Sequence, residues 1–393
     1  MPRGVRVRVP PWAPALRGSS AEYSRLYDSR VYWLFGLPVD QISLTEASTA
    51  VAKAALARES AVFITPNLNF LRECAQDPLF RDGCLRSELS LADGTPLLWL
   101  ARIAGFRLPH RVAGSDLFDQ LLEDRAGTLA TSESVIDIFF FGGPPGAAQA
   151  ASAHVNQMSR SLRCVGSFTP GFGTVTDMSD AATLADISRA RPHFLVVSLG
   201  ARKGTEWIDR NRRELPGMVI SHLGAVVNFA AGTVSRAPEW MRVTGLEWIW
   251  RIREEPRLME RYARDGMFLL RLILIVGPAL LLLRLISGRQ SVASASFLSD
   301  PQGTLCVQIR GRFSGESAEQ IDRDLKQRIP AKGSVLIDLS EISDVDARGL
   351  GILYAWLFRG GRPVRVASTP LKHWRARLKF RLYRAYALLG SFH

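Results

Sequence analysis

The chain has 393 residues, 47% of them hydrophobic, which is long for one domain and enough apolar content to build a core in each of two. Fifty Lys and Arg against thirty-seven Asp and Glu leave a net charge of +13, an excess that favours an anionic partner: nucleic acid, anionic lipid or a phosphorylated substrate. Cys74, Cys84, Cys164 and Cys306 form no CxxC pair, which argues against a disulfide framework or a zinc site and for a reducing, cytoplasmic setting.

Residues 1–30 are basic and punctuated by Pro10, Pro11 and Pro14 without the apolar core of a signal peptide, and read as a flexible leader. "VYWLFGLPV" is a short apolar run, and "LTEASTAVAKAALA" has helical spacing with Ser43 or Thr45 as its cap. "SAVFITPN" reads as a strand, "FLRECAQDPLFRDGCLRS" as amphipathic, and "LSLADGTPLLWLARIAG" as a strand that breaks at Asp93-Gly94 and passes into a helix. "VIDIFFFGGPPGAAQAASAHV" and "RPHFLVVSLGARKGTEWIDRN" repeat that plan, and "GMVISHLGAVVNFAAG" adds a strand ending in glycine. Strands alternating with helices imply a mostly parallel, doubly wound, Rossmann-like α/β sheet over residues 31–240. Ligands bind such sheets at the C-terminal strand ends, which places Thr65, Asn67 and Asn69 where a ligand is expected.

Residues 241–290 change character. Arg257, Arg261 and Arg264 recur at helical spacing, either as a solvated face paired with Glu254, Glu255 and Glu260 or as an anion-binding stripe. "MFLLRLILIVGPALLLLRLIS" follows, the most apolar segment of the chain. Its uncharged stretch between Arg271 and Arg284 is about twelve residues, about 18 Å of helix against a hydrocarbon core of about 30 Å. Gly277-Pro278 is expected to break the helix, so an in-plane or re-entrant membrane element is favoured over a single span.

A linker, "SGRQSVASAS", leads to a small α/β module over residues 303–390, with strands at "GTLCVQIRGRF", "GSVLIDLSEI" and "RPVRVAS" and helices at "GESAEQIDRDLKQRI" and "DARGLGILYAWLFRGG". Its end, "LKHWRARLKFRLYRAYALL", interleaves arginine with aromatics. That pattern suits stacked nucleic-acid bases or a membrane-surface helix, and the neighbouring apolar segment favours the membrane.

"TPN" (65–67), "ADG" (92–94), "HRVAGSDL" (110–117), "FFFGGPPG" (139–146), "VVSLGARKGTEW" (196–207), "LGAVVNFAAG" (223–232) and "RAPEWMRVTGLEWIWRIREEPR" (236–257) together resemble the WecG/TagA/CpsF glycosyltransferases. The resemblance implies a metal-independent, inverting transferase without a cofactor. It would move a sugar from a UDP-sugar donor to a polyprenyl-diphosphate-linked sugar at the cytoplasmic face of the bacterial inner membrane, in exopolysaccharide or cell-envelope assembly. The expected partners are those two substrates and the lipid surface, and not nucleic acid.

Inverting transfer needs a base for the acceptor hydroxyl and charge compensation for the leaving diphosphate. Asp93 at a strand end suits the base, although an aspartate there equally suits a cap for the helix near Thr95. Thr65 and Asn67 would fix a sugar or the acceptor, and Arg111 resembles the family's active-site arginine. The turn at Gly142, Gly143 and Gly146 would bring backbone N–H groups to the nucleotide, a weak signal by itself. Gly200 follows the next strand, and Arg236, Arg251, Arg257 and Arg261 would reach diphosphates. The family's G-x-P-x-Q-E-x-W is here "GARKGTEW", so Arg202 replaces the proline, Gly204 the glutamine and Thr205 the glutamate, with Arg202 and Lys203 as substitute donor contacts. That departure supports a second reading, a degenerate transferase acting as an interaction protein through its C-terminal module. The module resembles a STAS domain through "VLIDLSEISDVDARGLGILYAWL", where Ala347 and Arg348 take the two hydroxyl positions of phosphorylatable members, leaving partner binding, ligand sensing or a structural role.

Overall fold

The computed structural model describes residues 30–124, 135–224, 226–232, 237–286, 291–300, 303–329, 334–360 and 363–389. The leader and Arg236 lie outside them. The apolar run "VYWLFGLPV" forms a hairpin: β1 (Arg30–Leu34) and β2 (Leu37–Gln41) pair antiparallel around a two-residue turn in which Phe35 (φ 46°) and Gly36 (φ 116°) are both left-handed.

β3 (Ala61–Ile64), β4 (Leu89–Ser90), β5 (Ile136–Gly142), β6 (Leu162–Phe168), β7 (Phe194–Ser198) and β8 (Val219–His222) form one parallel sheet in the order β4-β3-β8-β7-β5-β6. Alternate residues of single strands enter opposite cores. Phe140, Phe194 and Val196 pack with Ala47, Val51, Phe118 and Ala148, whereas Phe139, Leu195 and Val197 pack with Leu184, Trp207 and Ile208. Helices therefore cover both faces, as the continuous apolar runs require. β6 was not legible in the sequence because it is an edge strand with a half-exposed, glycine-interrupted pattern.

At the other end of the chain, β9 (Ser294–Ser299), β10 (Leu305–Phe313), β11 (Val335–Val345) and β12 (Val364–Val366) form a second sheet in the order β12-β11-β10-β9, with only β9 antiparallel. β9 occupies the end of the segment expected to be linker, where small residues suffice for an exposed edge.

This C-terminal unit is fused to the first by a shared core running from Val31 to Leu388. Buried Arg359 makes a bidentate pair with buried Asp40 at 2.8 and 2.9 Å, the Tyr354 hydroxyl donates to Leu85 O at 2.9 Å, and Arg348 Nη1 donates to Val31 O at 2.9 Å. The hairpin β1–β2 thus covers the helix Ala347–Tyr354, and that face is closed to an outside partner. The helix Trp374–Leu382 also packs on the protein along one side. It buries Ala376 and Phe380 in the shared core, together with Lys379, which pairs with Asp344 of β11 at 2.6 Å, while Trp374 stays exposed.

The apolar segment also departs from expectation. Pro256–Ile286 is one continuous helical stretch of 31 residues, the one helix among the described residues long and apolar enough to cross a membrane. A π-helical turn at Leu272–Val276, closed by Gly277 N–H to Leu272 O, precedes Pro278 and absorbs the hydrogen bond that proline cannot make, so the chain does not break there. One side, with Asp265, Leu272, Leu280 and Leu283, packs on the protein, while Met267, Leu270, Leu274, Ile275, Leu281, Leu282 and Leu285 are exposed.

Candidate functional site

The C-terminal ends of β3 and β4 extend past the strands as a ladder. Leu91 N–H donates to Ile64 O, Asp93 N–H to Pro66 O, each at 2.8 Å, and Val112 N–H to Ala92 O at 2.9 Å. "TPN", "ADG" and "RV" are thereby laid side by side. Asp93 does not cap the following helix, Thr95–Ala104: Gly94 (φ 105°) holds that position and no side chain caps the first turn. The capping alternative for Asp93 falls.

Around Asp93 the structure collects charges from three segments. Arg111 Nη1 donates to Glu247 Oε2 at 2.7 Å and Nη2 to Asp116 Oδ2 at 2.9 Å. Arg251 Nε donates to Glu247 Oε1 at 3.3 Å, and its guanidinium lies 5.5 Å from the Phe229 ring centroid. The turn carrying Glu247 is seated at the start of the Thr95 helix, since a Cβ on Gly245 would stand 2.7 Å from Thr95 Oγ1. Burial pushes the Asp93 carboxyl up to about 7; Arg111 and Arg251 pull it down and Glu247 and Asp116 push it further up. Burial also presses Glu247 upward, but Arg251 and Arg111 outweigh it and hold Glu247 below its usual range. The outcome is one carboxyl poised near neutrality beside another that stays ionised, a pairing suited to proton transfer.

Thr65 is buried with its side chain against the Cα of Gly114, and Asn67 is the cap of the helix Leu68–Gln76, its Oδ1 accepting from Phe70 N–H at 3.3 Å. Asn69 accepts from Arg72 at 3.0 Å. Across the sheet, Gly142 (φ 100°) must be glycine, because Ser198 O would lie 2.6 Å from a Cβ. Gly143 N–H donates to that same carbonyl at 2.8 Å. Helices Ala147–Met158 and Ala201–Asn211 start beside this turn at Gly146 and Gly200, where a Cβ would meet nothing within 4 Å, so both helix N-termini adjoin open space.

The expected substitute donor contacts each have a partner within the chain. Arg202 pairs with Asp77 at 2.5 Å and Lys203 donates to Gly173 O at 2.8 Å. The altered motif has a packing cause instead: a Cβ on Gly204 would overlap the ring of His222, whose Nε2 is hydrogen-bonded to Leu199 O. His222 is buried, and burial holds it below its usual pKa and neutral. Among the other arginines, Arg251 joins the Asp93 cluster, Arg257 is exposed, and Arg261 lies 4.9 Å over Tyr262 with its Nε buried and without a hydrogen-bond partner. Sequence reasoning singled out the arginines and passed over their carboxylates, Asp116 and Glu247. Both stand in the quoted "GSDL" and "GLEW", but nothing local says which arginine they face.

The model of the family described as Glycosyl transferase WecG/TagA/CpsF matches residues 32–277. The chain is 27% identical over 192 residues to an N-acetylglucosaminyldiphosphoundecaprenol N-acetyl-beta-D-mannosaminyltransferase of Bacillus subtilis (strain 168), covering 49% of this chain and 71% of that one. The proteins of the same name from Bacillus spizizenii, 27% identical over 52% of this chain and 75% of theirs, and from Staphylococcus aureus (strain NCTC 8325 / PS 47), 26% identical over 41% and 59%, are similar to it as well.

Proposed function

This chain belongs to the WecG/TagA/CpsF family of glycosyl transferases, and on that premise we propose that it moves a sugar from a UDP-sugar to a polyprenyl-diphosphate-linked saccharide, with inversion, in cell-envelope or exopolysaccharide synthesis. The relatives named for transfer to a diphosphoundecaprenol-linked sugar support the acceptor class. The observation that carries the mechanism is the Asp93 carboxyl, at about 7, at a strand end and not spent on a helix cap.

In this reading ionised Asp93 takes the proton of the acceptor hydroxyl as that oxygen attacks the donor's anomeric carbon and the bond to UDP breaks. Arg111, oriented by Glu247 and Asp116, and Arg251 supply positive charge beside the base. The open helix N-termini at Gly146 and Gly200, with the Gly142–Gly143 turn, receive the UDP diphosphate. Thr65 and Asn67 line the strand end where the acceptor enters, and Arg257 and Arg261 face the lipid diphosphate.

The long helix lies in the plane of the cytoplasmic membrane face. Its packed side is held along both halves, in the second by Arg284 on Ile103 O, leaving an apolar side for lipid and Arg271 for headgroups. The STAS-like unit then serves as an internal brace of the transferase, not as a receptor for a second protein, since its helix Ala347–Tyr354 is covered in cis.

A panel of UDP-sugars incubated with polyprenyl-diphosphate-GlcNAc tests the reading. Transfer of one sugar and release of UDP are expected. A chain that binds UDP but transfers nothing from the panel to this acceptor overturns the acceptor assignment, and one that binds no UDP supports the degenerate alternative.

A further inference from the structure

The helix Thr95–Ala104 starts two residues after Asp93 and ends about 15 Å away along its axis. Its last carbonyls have no intrahelical donors and need partners from elsewhere. Two come from distant parts of the chain: Arg284 Nη2 donates to Ile103 O and the Tyr383 hydroxyl to Ala104 O, each at 2.9 Å. Gly105 closes the helix in the left-handed region (φ 95°), and a Cβ there would overlap the Arg284 guanidinium, so the cation sits against the negative end of the helix dipole. Tyr383 is itself held. It is buried, its ring stacks on Phe35 with centroids 6.0 Å apart, and its carbonyl accepts from Trp33 Nε1 at 2.9 Å.

We propose that Tyr383 and Arg284 are positioning residues for the transfer reaction: by gripping the far end of the helix they set where Asp93 stands relative to Arg111 and Glu247. At the near end the backbone is tied by Asp93 N–H to Pro66 O at 2.8 Å, but no side chain caps the first turn, so the side-chain hold on this helix is at its far end. One grip comes from the C-terminal unit and the other from the apolar helix, so both regions outside the six-stranded sheet act on the same catalytic group. A shift of about 1 Å in a reacting group costs on the order of 100-fold in rate. The carboxyl of Asp93 also faces Arg111, Arg251, Glu247 and Asp116, so its titration reports its position without any substrate.

The inference rests on Asp93 being the base, and the test separates the two. In the full-length protein, Tyr383→Phe and Arg284→Ala are compared with Arg348→Gln, which removes the hydrogen bond to Val31 O without touching this helix. Carboxyl ¹³C NMR, assigned by difference from Asp93→Asn, reads the Asp93 titration. Steady-state kinetics reads kcat and KM. The two positioning variants are expected to displace the titration from about 7, and to lower kcat by about 10-fold or more with donor KM little changed. Arg348→Gln is expected to lower Tm alone. Tyr383→Phe with the wild-type titration and kcat, whatever its Tm, overturns the proposal. A moved titration in a chain that transfers no sugar keeps the mechanical link and sinks the functional reading.

Discussion

Arg111 and Glu247 are 136 residues apart in the chain and meet at 2.7 Å, with Asp116 on the other side of the same guanidinium. Glu247 also takes Arg251, so this one carboxylate orients both cations beside Asp93 and raises the Asp93 carboxyl. Glu247→Gln is therefore expected to lower kcat/KM by about 10- to 100-fold and to move the pH at which activity appears downward. A pH–rate profile with an unmoved limb would separate Glu247 from the base.

Asp93→Asn is expected to lower transfer by about 100- to 10,000-fold while calorimetry shows UDP affinity nearly unchanged, because the base is not part of the diphosphate cradle. Near-normal turnover returns Asp93 to a structural role.

The same variant has a stability signature. The folded chain keeps the Asp93 proton up to about 7, whereas the unfolded chain releases it near the ordinary carboxylate value of about 3.9. Its contribution to folding is complete below that value and is lost as pH rises toward 7. Asp93→Asn escapes the loss, and urea denaturation should find it more stable than the parent at pH 8, by on the order of 1–4 kcal/mol. The gap should close near pH 4.

Gly204 and His222 offer a change of sign. Gly204→Ala sets a methyl into the His222 ring and is expected to cost ~1–3 kcal/mol as overpacking. In a His222→Ala background the same change should instead stabilise by up to about 1 kcal/mol, the helix preference for alanine. Equal effects in both backgrounds would mean that His222 does not exclude a side chain at 204.

Asp40 and Arg359 test the fusion of the two units. Arg359→Met leaves the buried Asp40 carboxylate without its cation and is expected to cost ~3–5 kcal/mol, while the apolar pair Asp40→Leu with Arg359→Met recovers part of it, less the bond that Ser90 N–H makes to Asp40. Because the core is shared, denaturation should remain a single transition in which both units unfold together. A C-terminal unit that melts separately at a lower denaturant concentration contradicts the brace.

For the apolar helix, Leu274→Glu with Leu281→Glu is expected to reduce co-sedimentation with anionic vesicles, since both side chains are exposed. Reporter fusions after residue 265 and after residue 300 should both report cytoplasm. A periplasmic signal from the second establishes a span.

The sequence by itself determined the parallel α/β sheet, because buried parallel strands are written as apolar runs such as "IFFF" within β5 and "FLVV" within β7, alternating with helical spacing. It also marked Asp93, Arg111 and Arg251 through motifs at strand ends and on one helix. Tertiary structure alone decided what those groups touch. Folding brought Glu247 and Asp116 to Arg111, and gave Arg202 and Lys203 the partners Asp77 and Gly173 O. The same holds for the assembly of the two units. The hairpin at residues 30–41, the helix Trp374–Leu382 and the helix through Pro278 each read differently in isolation. Burial against a partner hundreds of residues away is a long-range property, and local periodicity carries only which side of an element is apolar, not what that side will meet.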